Sequence, residues 1–129
     1  TKDGLQKAPT ERFPEYIGID IVKGNLVDRI MNAHDMRFED GSFDVVVSTS
    51  ALEHDTDPFV TMAEIRRVMK VGGWLFLTVP GWKGCGPHCE QDYWRFLEDG
   101  VRLLMGNVGL QIIELIEVEN DVMALGRKR

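Results

Sequence analysis

The chain opens without a period. Residues 1–15 carry Gly4, Pro9 and Pro14 among mostly polar side chains and fit neither a helical nor an alternating repeat, which predicts an irregular arm. Tyr16-Ile17-Gly18-Ile19-Asp20 is a short run of β-formers closing on an acid, and Arg29-Ile30-Met31-Asn32 is a second, weaker strand. Phe43-Asp44-Val45-Val46-Val47-Ser48 is nearly continuous in apolar β-formers, the pattern of a strand buried on both faces. A helix should follow. Asp57 is placed to cap it and Pro58 to take its first position, where a missing N–H costs nothing. Phe59, Met62, Ile65 or Arg66, and Met69 recur at helical spacing, and Lys70-Val71-Gly72-Gly73 is expected to end the helix with a left-handed glycine.

Trp74 to Val79 reads as the next buried strand, closed by Pro80, and a loop rich in Gly, Pro, Cys and His runs to Gln91. Glu98 to Val108 reads as a second helix ended by Gly109. Gln111 to Val118 and Val122 to Gly126 are predicted to pair antiparallel across the turn Glu119-Asn120-Asp121. The order of elements predicts an α/β fold built on a mostly parallel sheet with an antiparallel edge.

Composition narrows the function. At 129 residues the chain suits one domain, here an arm over 1–15 and a single α/β domain over 16–129. With 43% apolar and 28% charged residues it can bury a core. Its 15 Lys and Arg against 21 Asp and Glu give a net charge of -6, the wrong sign for gripping phosphate backbones, so nucleic acid is not expected as a partner. No apolar stretch approaches the ~20 residues that cross a bilayer, so no membrane association is expected. Two cysteines without an apolar leader point to a reducing, cytoplasmic setting.

Three blocks carry a resemblance. Asn32-Ala33-His34-Asp35-Met36-Arg37-Phe38-Glu39-Asp40-Gly41-Ser42-Phe43-Asp44-Val45-Val46-Val47 resembles the central signature of class I S-adenosylmethionine-dependent methyltransferases, of the type 11-like kind. Ala51-Leu52-Glu53-His54-Asp55-Thr56-Asp57-Pro58 and Glu64-Ile65-Arg66-Arg67-Val68-Met69-Lys70-Val71-Gly72-Gly73 follow in the family's order and spacing, so that the likeness spans residues 16 to 80. Asp92-Tyr93-Trp94-Arg95-Phe96 resembles a block of relatives that act on small molecules or glycans.

The resemblance implies a Rossmann-like fold, S-adenosylmethionine as cofactor and methyl transfer to a small-molecule or glycan-type acceptor. It places Asp20 against the cofactor ribose hydroxyls, with Ile21 beside it, and a carboxylate at a strand's C-terminal end suits that role. The alternative is an ordinary strand-end acid in a turn. Asn32 stands where many relatives carry an acid that meets the adenine amino group, and its amide oxygen can still accept that hydrogen bond. Ala33 would offer its backbone N–H to the ring; for both, plain loop is the alternative. Ser48 begins the segment to His54 that would lie near the methyl group. His54 is a candidate general base because imidazole takes up protons near neutral pH; otherwise Glu53 and His54 merely shape the loop and cap the next helix.

The loop after Pro80 is the acceptor side. Cys85, His88 and Cys89 have zinc-compatible spacing, but no second Cys or His cluster completes a site, so no metal is expected. His88 is instead a candidate to orient or deprotonate the acceptor. Tyr93 and Trp94 either line a substrate loop or pack it, and Arg95 pairs either with an acidic substrate group or with Asp92.

One departure from the family matters. No Gly-x-Gly turn follows a strand upstream of Tyr16, so the sequence resembles the family without its first strand, first helix and glycine-rich cofactor motif. Three expectations follow. The chain by itself should bind S-adenosylmethionine weakly or not at all, because only glycine permits the close backbone approach that turn provides. The domain acts within a longer chain, or its strands at Tyr16 and Phe43 pair directly, or an exposed strand edge pairs with a second copy in a homodimer. The competing functions are a non-catalytic methyltransferase-like module for binding or assembly and, ranked last, a nicotinamide-dependent oxidoreductase.

Overall fold

The computed structural model describes residues 15–83 and 91–129, and these fall into two compact units that divide between Arg37 and Phe38. The first is organised by β1 (Ile19–Asp20) and β2 (Arg29–Ile30), which pair in parallel as a two-stranded sheet. Gly18 is the clasp. Its N–H donates to the Asp28 carboxylate at 2.7 Å, while its carbonyl accepts from Asp28 and Arg29 at 2.8 and 3.2 Å. A Cβ at this position would stand 1.9 Å from the Leu26 carbonyl oxygen, so only glycine fits. The strand is shorter than the Tyr16 to Asp20 run because its first half is spent in that clasp.

The second unit is a four-stranded sheet of order β3-β4-β6-β5, with β3 (Phe43–Thr49), β4 (Met69–Pro80), β5 (Gln111–Val118) and β6 (Asp121–Arg127). β3 and β4 are parallel, and β6 runs antiparallel to both its neighbours, giving the expected mixed sheet with an antiparallel edge. α1 (Pro58–Val68) makes the crossover from β3 to β4, and α2 (Glu98–Asn107) precedes β5. Among the described residues β1 pairs with β2 rather than with β3, so the direct pairing of the Tyr16 and Phe43 strands considered above is not formed.

The core lies on one face of this sheet. Leu75, Leu77 and Val79 alternate along β4 and pair with Gly126, Ala124 and Val122 of β6. All six are buried. Met62 and Ile65 of α1 and Val101, Leu104 and Met105 of α2 are buried with them. Removing this apolar area from water is the dominant favourable term in the fold. The approach is close, since a Cβ on Gly126 would meet Met105 Cε at 2.3 Å.

Two expectations are corrected here. β3 is not buried on both faces: it is an edge strand of its sheet, and Val45 and Val47 remain 36% and 56% exposed. α1 ends at Val68, not at the glycines, because fully buried Met69 already pairs with Phe43 as the first residue of β4. Gly72 and Gly73 serve a bulge instead. Between the pairs Phe43↔Met69 and Val45↔Trp74 the β4 chain loops out, with Gly72 at φ 81° and with Gly73 close enough to Asp44 that a Cβ would meet its carbonyl oxygen at 3.0 Å.

Candidate functional site

The candidate cofactor residues of the first unit gather at the C-terminal ends of β1 and β2. The Asp20 side chain turns back on its own chain, with Oδ1 accepting from the N–H groups of Ile21 at 2.6 Å and Val22 at 3.4 Å. This is the geometry of a strand-end acid in a turn, and it leaves Oδ2 as an outward acceptor. Met31 N–H donates to the Asp20 carbonyl at 2.8 Å, which carries the chain from β2 into Asn32. Asn32 Oδ1 accepts from His34 N–H at 2.8 Å and its carbonyl accepts from Asp35 N–H at 3.0 Å. The amide oxygen expected to meet an adenine therefore already spends one of its two acceptor positions on the turn.

An open cavity of about 400 Å³ lies here, lined by Ile21, Ile30, Met31, Asn32, Asp35 and Arg37. Two residues picked out from the sequence, Ile21 and Asn32, line it. Its volume falls in the ordinary range of small-molecule sites, roughly 300–1,000 Å³. Apolar Ile21 and Ile30 with polar Asn32 suit a flat ring that carries a few hydrogen-bonding edges. Ala33, half-buried, is next in the chain.

In the second unit the sequence-derived residues converge beyond the C-terminal ends of parallel β3 and β4. Half-buried Ser48 lies in β3, and the chain then turns through Ser50 at φ 49°, whose N–H is held by the Thr78 carbonyl at 2.9 Å. A 3₁₀ turn over Leu52–His54 follows, with Leu52 1% and Glu53 3% exposed. The returning segment, residues 91–96, is fastened to this turn at four points. Tyr93 and Trp94 N–H donate to the Glu53 carbonyl at 2.7 and 3.2 Å, and the Trp94 indole N–H donates to the Asp55 carbonyl at 2.7 Å. His54 Nδ1 lies 3.0 Å from the Gln91 carbonyl oxygen.

Arg95 is resolved in favour of Asp92. The guanidinium forms two hydrogen bonds to the Asp92 carboxylate, at 2.7 and 2.9 Å, and the Asp92 side chain is 1% exposed. Tyr93 and Trp94 stay 49% and 43% exposed, although the Trp94 indole is held by its bond to Asp55, and Phe96 is buried. His88, Cys85 and Cys89 lie outside the described residues. Among the described residues no group of three His, Cys, Asp or Glu side chains is placed to hold a metal.

Glu53 was missed as a chemical group. Sequence reading treats a Glu in a loop as solvated, since acids are seldom buried, and no periodicity marks a 3₁₀ turn. In the structure its Oε1 is buried without a hydrogen-bond partner among the described residues. Burial, the largest influence, pushes its carboxyl above the usual range; its own backbone N–H, His54 and Arg95 oppose the rise and Asp92 adds to it.

A family described as a methyltransferase domain matches residues 4–77, more than half of the chain. The chain belongs to that family. The methyltransferase domain is also 32% identical over 72 residues to a hybrid PKS-NRPS synthetase, mpsA, of Macrophomina phaseolina, a match that covers 56% of the chain and only 2% of the synthetase. Two solved structures share the fold. The PH0226 protein of Pyrococcus horikoshii has a TM-score of 0.76 at 17% identity, covering 98% of this domain and 77% of that chain. The 1,6-didemethyltoxoflavin-N1-methyltransferase of Burkholderia thailandensis, solved with its substrate and S-adenosylhomocysteine, has a TM-score of 0.74 at 16% identity, covering 95% and 67%. The methyltransferase domain is thus Rossmann-like α/β: the α/β class was expected from the order of strands and helices, and the Rossmann-like fold from the family resemblance. No helix among the described residues is long and apolar enough to cross a membrane.

Proposed function

We propose that the domain transfers a methyl group from S-adenosylmethionine to a small-molecule or glycan-type acceptor. The observation that carries this reading is the end of β1: Asp20, its carboxylate set by the Ile21 and Val22 N–H groups, stands beside a cavity lined by Ile21 and Asn32. Asp20 would accept from the ribose hydroxyls, Asn32 and the Ala33 N–H would meet the adenine edge, and Ile21 would cover a face of the nucleoside. When bound, the cofactor supplies an electrophilic methyl carbon. On the acceptor side Ser48, His54, Tyr93, Trp94 and His88 would orient the nucleophile, with His54 taking its proton. Such catalysis rests mostly on holding donor and acceptor in line.

Calorimetric titration of the 129-residue chain with S-adenosylmethionine, its demethylated product and NAD tests the reading. Heat with the first two and none with NAD is expected. Sub-micromolar binding would overturn the expectation of weak affinity. Asp20→Ala should cost roughly 1.5–3 kcal/mol of whatever affinity is measured, the range for hydrogen bonds to a charged group. Heat with NAD alone would overturn the reading in favour of the nicotinamide-dependent oxidoreductase.

A further inference from the structure

The least explained group in the second unit is Glu53. It is a buried acid whose Oε1 has no hydrogen-bond partner among the described residues, near the paired Asp92 and Arg95. Above it sits His54, whose side chain is 35% exposed against 5% for Glu53, with Nε2 at 4.0 Å from Glu53 Oε2. The other ring nitrogen is committed. A backbone carbonyl can only accept, so Nδ1 at 3.0 Å from the Gln91 carbonyl oxygen must carry a proton, and proton exchange falls to Nε2. Gln91 aims that carbonyl from a left-handed backbone, φ 63°, which a glutamine rarely adopts, and Ser50 at φ 49° opens the segment that carries the ring. Two non-glycine residues in this region thus bracket the imidazole.

Building on the reading of His54 as the base, we propose that Glu53 is a positioning residue for it: Gln91 fixes the Nδ1–H tautomer, and the buried Glu53 carboxylate holds the positive charge that forms when Nε2 takes the proton of an O–H or N–H acceptor. The proton leaves the acceptor oxygen or nitrogen and bonds to Nε2, so the imidazole becomes an imidazolium and the carboxylate–imidazolium pair is neutral. Among the described residues the charged groups facing Glu53 are His54, Asp92 and Arg95; Asp92 and Arg95 are paired with one another, and His54 Nε2 lies 4.0 Å from the Glu53 carboxylate. Burial strengthens the pairing, since opposite charges attract more strongly where water is excluded. A bare carboxylate in the same place would be costly, which is why the carboxyl sits above its usual range. The arrangement selects acceptors that must lose a proton, hydroxyls and amines.

Nuclear magnetic resonance of the labelled full chain tests this without any methyl transfer, so a failed cofactor titration leaves the test standing. Long-range proton–nitrogen spectra, with the His54 signals identified by their loss in His54→Gln, should show the neutral ring protonated on Nδ1. The Glu53 carboxyl carbon, followed through a pH titration of the wild-type chain, should move in two steps, one of them coincident with titration of the His54 ring. In His54→Gln that step should vanish and the other remain. A neutral ring protonated on Nε2, or a single carboxyl step that His54→Gln leaves unchanged, would overturn the proposal.

Discussion

Replacing Gly18 by alanine is the sharpest perturbation of the cofactor-side unit. The new Cβ would stand 1.9 Å from the Leu26 carbonyl oxygen, where separations under 3.0 Å are essentially never seen, so the backbone must part by about 1 Å. The obstacle is backbone, not a flexible side chain, and Gly18 is buried. Overpacking of this kind costs typically about 1–3 kcal/mol. The same displacement stretches the 2.7 Å bond from Gly18 N–H to the Asp28 carboxylate, a class worth roughly 1.5–3 kcal/mol. Because one movement relieves the clash and breaks the bond, the two do not add in full, and a net loss of about 3 kcal/mol is expected. At about 1.4 kcal/mol per decade that is roughly a hundredfold. Amide hydrogen exchange reads it directly: protection at Asp28, Arg29 and Met31, which hold β1 to β2, should fall by about that factor. Gly100→Ala is the control, since nothing lies within 4 Å of a Cβ there. Unchanged protection at these three amides in Gly18→Ala would refute the clasp.

The pH dependence of stability should change in Glu53→Gln. The folded chain holds the Glu53 proton more tightly than the unfolded chain, whose value is the ordinary 4.5. Its contribution is complete below that value and is lost as pH rises through the folded one. Denaturant unfolding at a series of pH values should therefore show the wild type losing stability relative to Glu53→Gln above pH 4.5, and a constant difference would contradict the burial argument. Asp57→Ala removes the carboxylate that caps Val60 N–H at the start of α1 and should lower stability by about 1 kcal/mol, read as a shift in denaturation midpoint. Arg67→Ala should destabilise as well, because one guanidinium ties Glu64 at 2.7 Å to the Phe38 carbonyl and Asp40; a midpoint within error of wild type would show those contacts to be idle.

The elements most legible in the sequence were those whose periodicity is set locally. The Asp57-Pro58 start of α1, the Gly109 stop after α2, where φ is 73°, and the β5–β6 hairpin all stand where their capping and turn residues put them. Errors arose where pairing between distant segments decides. Lys70 to Gly73 resembles a helix terminus, and only the Phe43↔Met69 register makes it a bulge within a strand. The valine run of β3 reads as doubly buried whether or not a strand flanks it, and composition cannot show that β3 is an edge. At the candidate site, the strand end and the family blocks coincide at Asp20 to Asn32, and of these residues Ile21 and Asn32 line the cavity. Glu53 was not, since its burial depends on the 91–96 segment folding back across it.

The placing of β6 has a consequence for the order in which the molecule can assemble. β3, α1 and β4 form a continuous stretch of chain whose contacts are local, so this half can collapse as soon as it is made. β5 follows in the chain, but it touches the sheet only through β6, which comes later and slides between β4 and β5. Until then α2 and β5 have no pairing partner on β4, and the row of N–H and C=O groups along β4 stays open. The pairing of β5 with the rest of the sheet therefore depends on Asp121–Arg127. A substitution at Ala124 or Gly126 too bulky for the α2 side strikes two pairings at once, since these positions face Leu77 and Leu75 of β4 and Leu115 and Ile112 of β5.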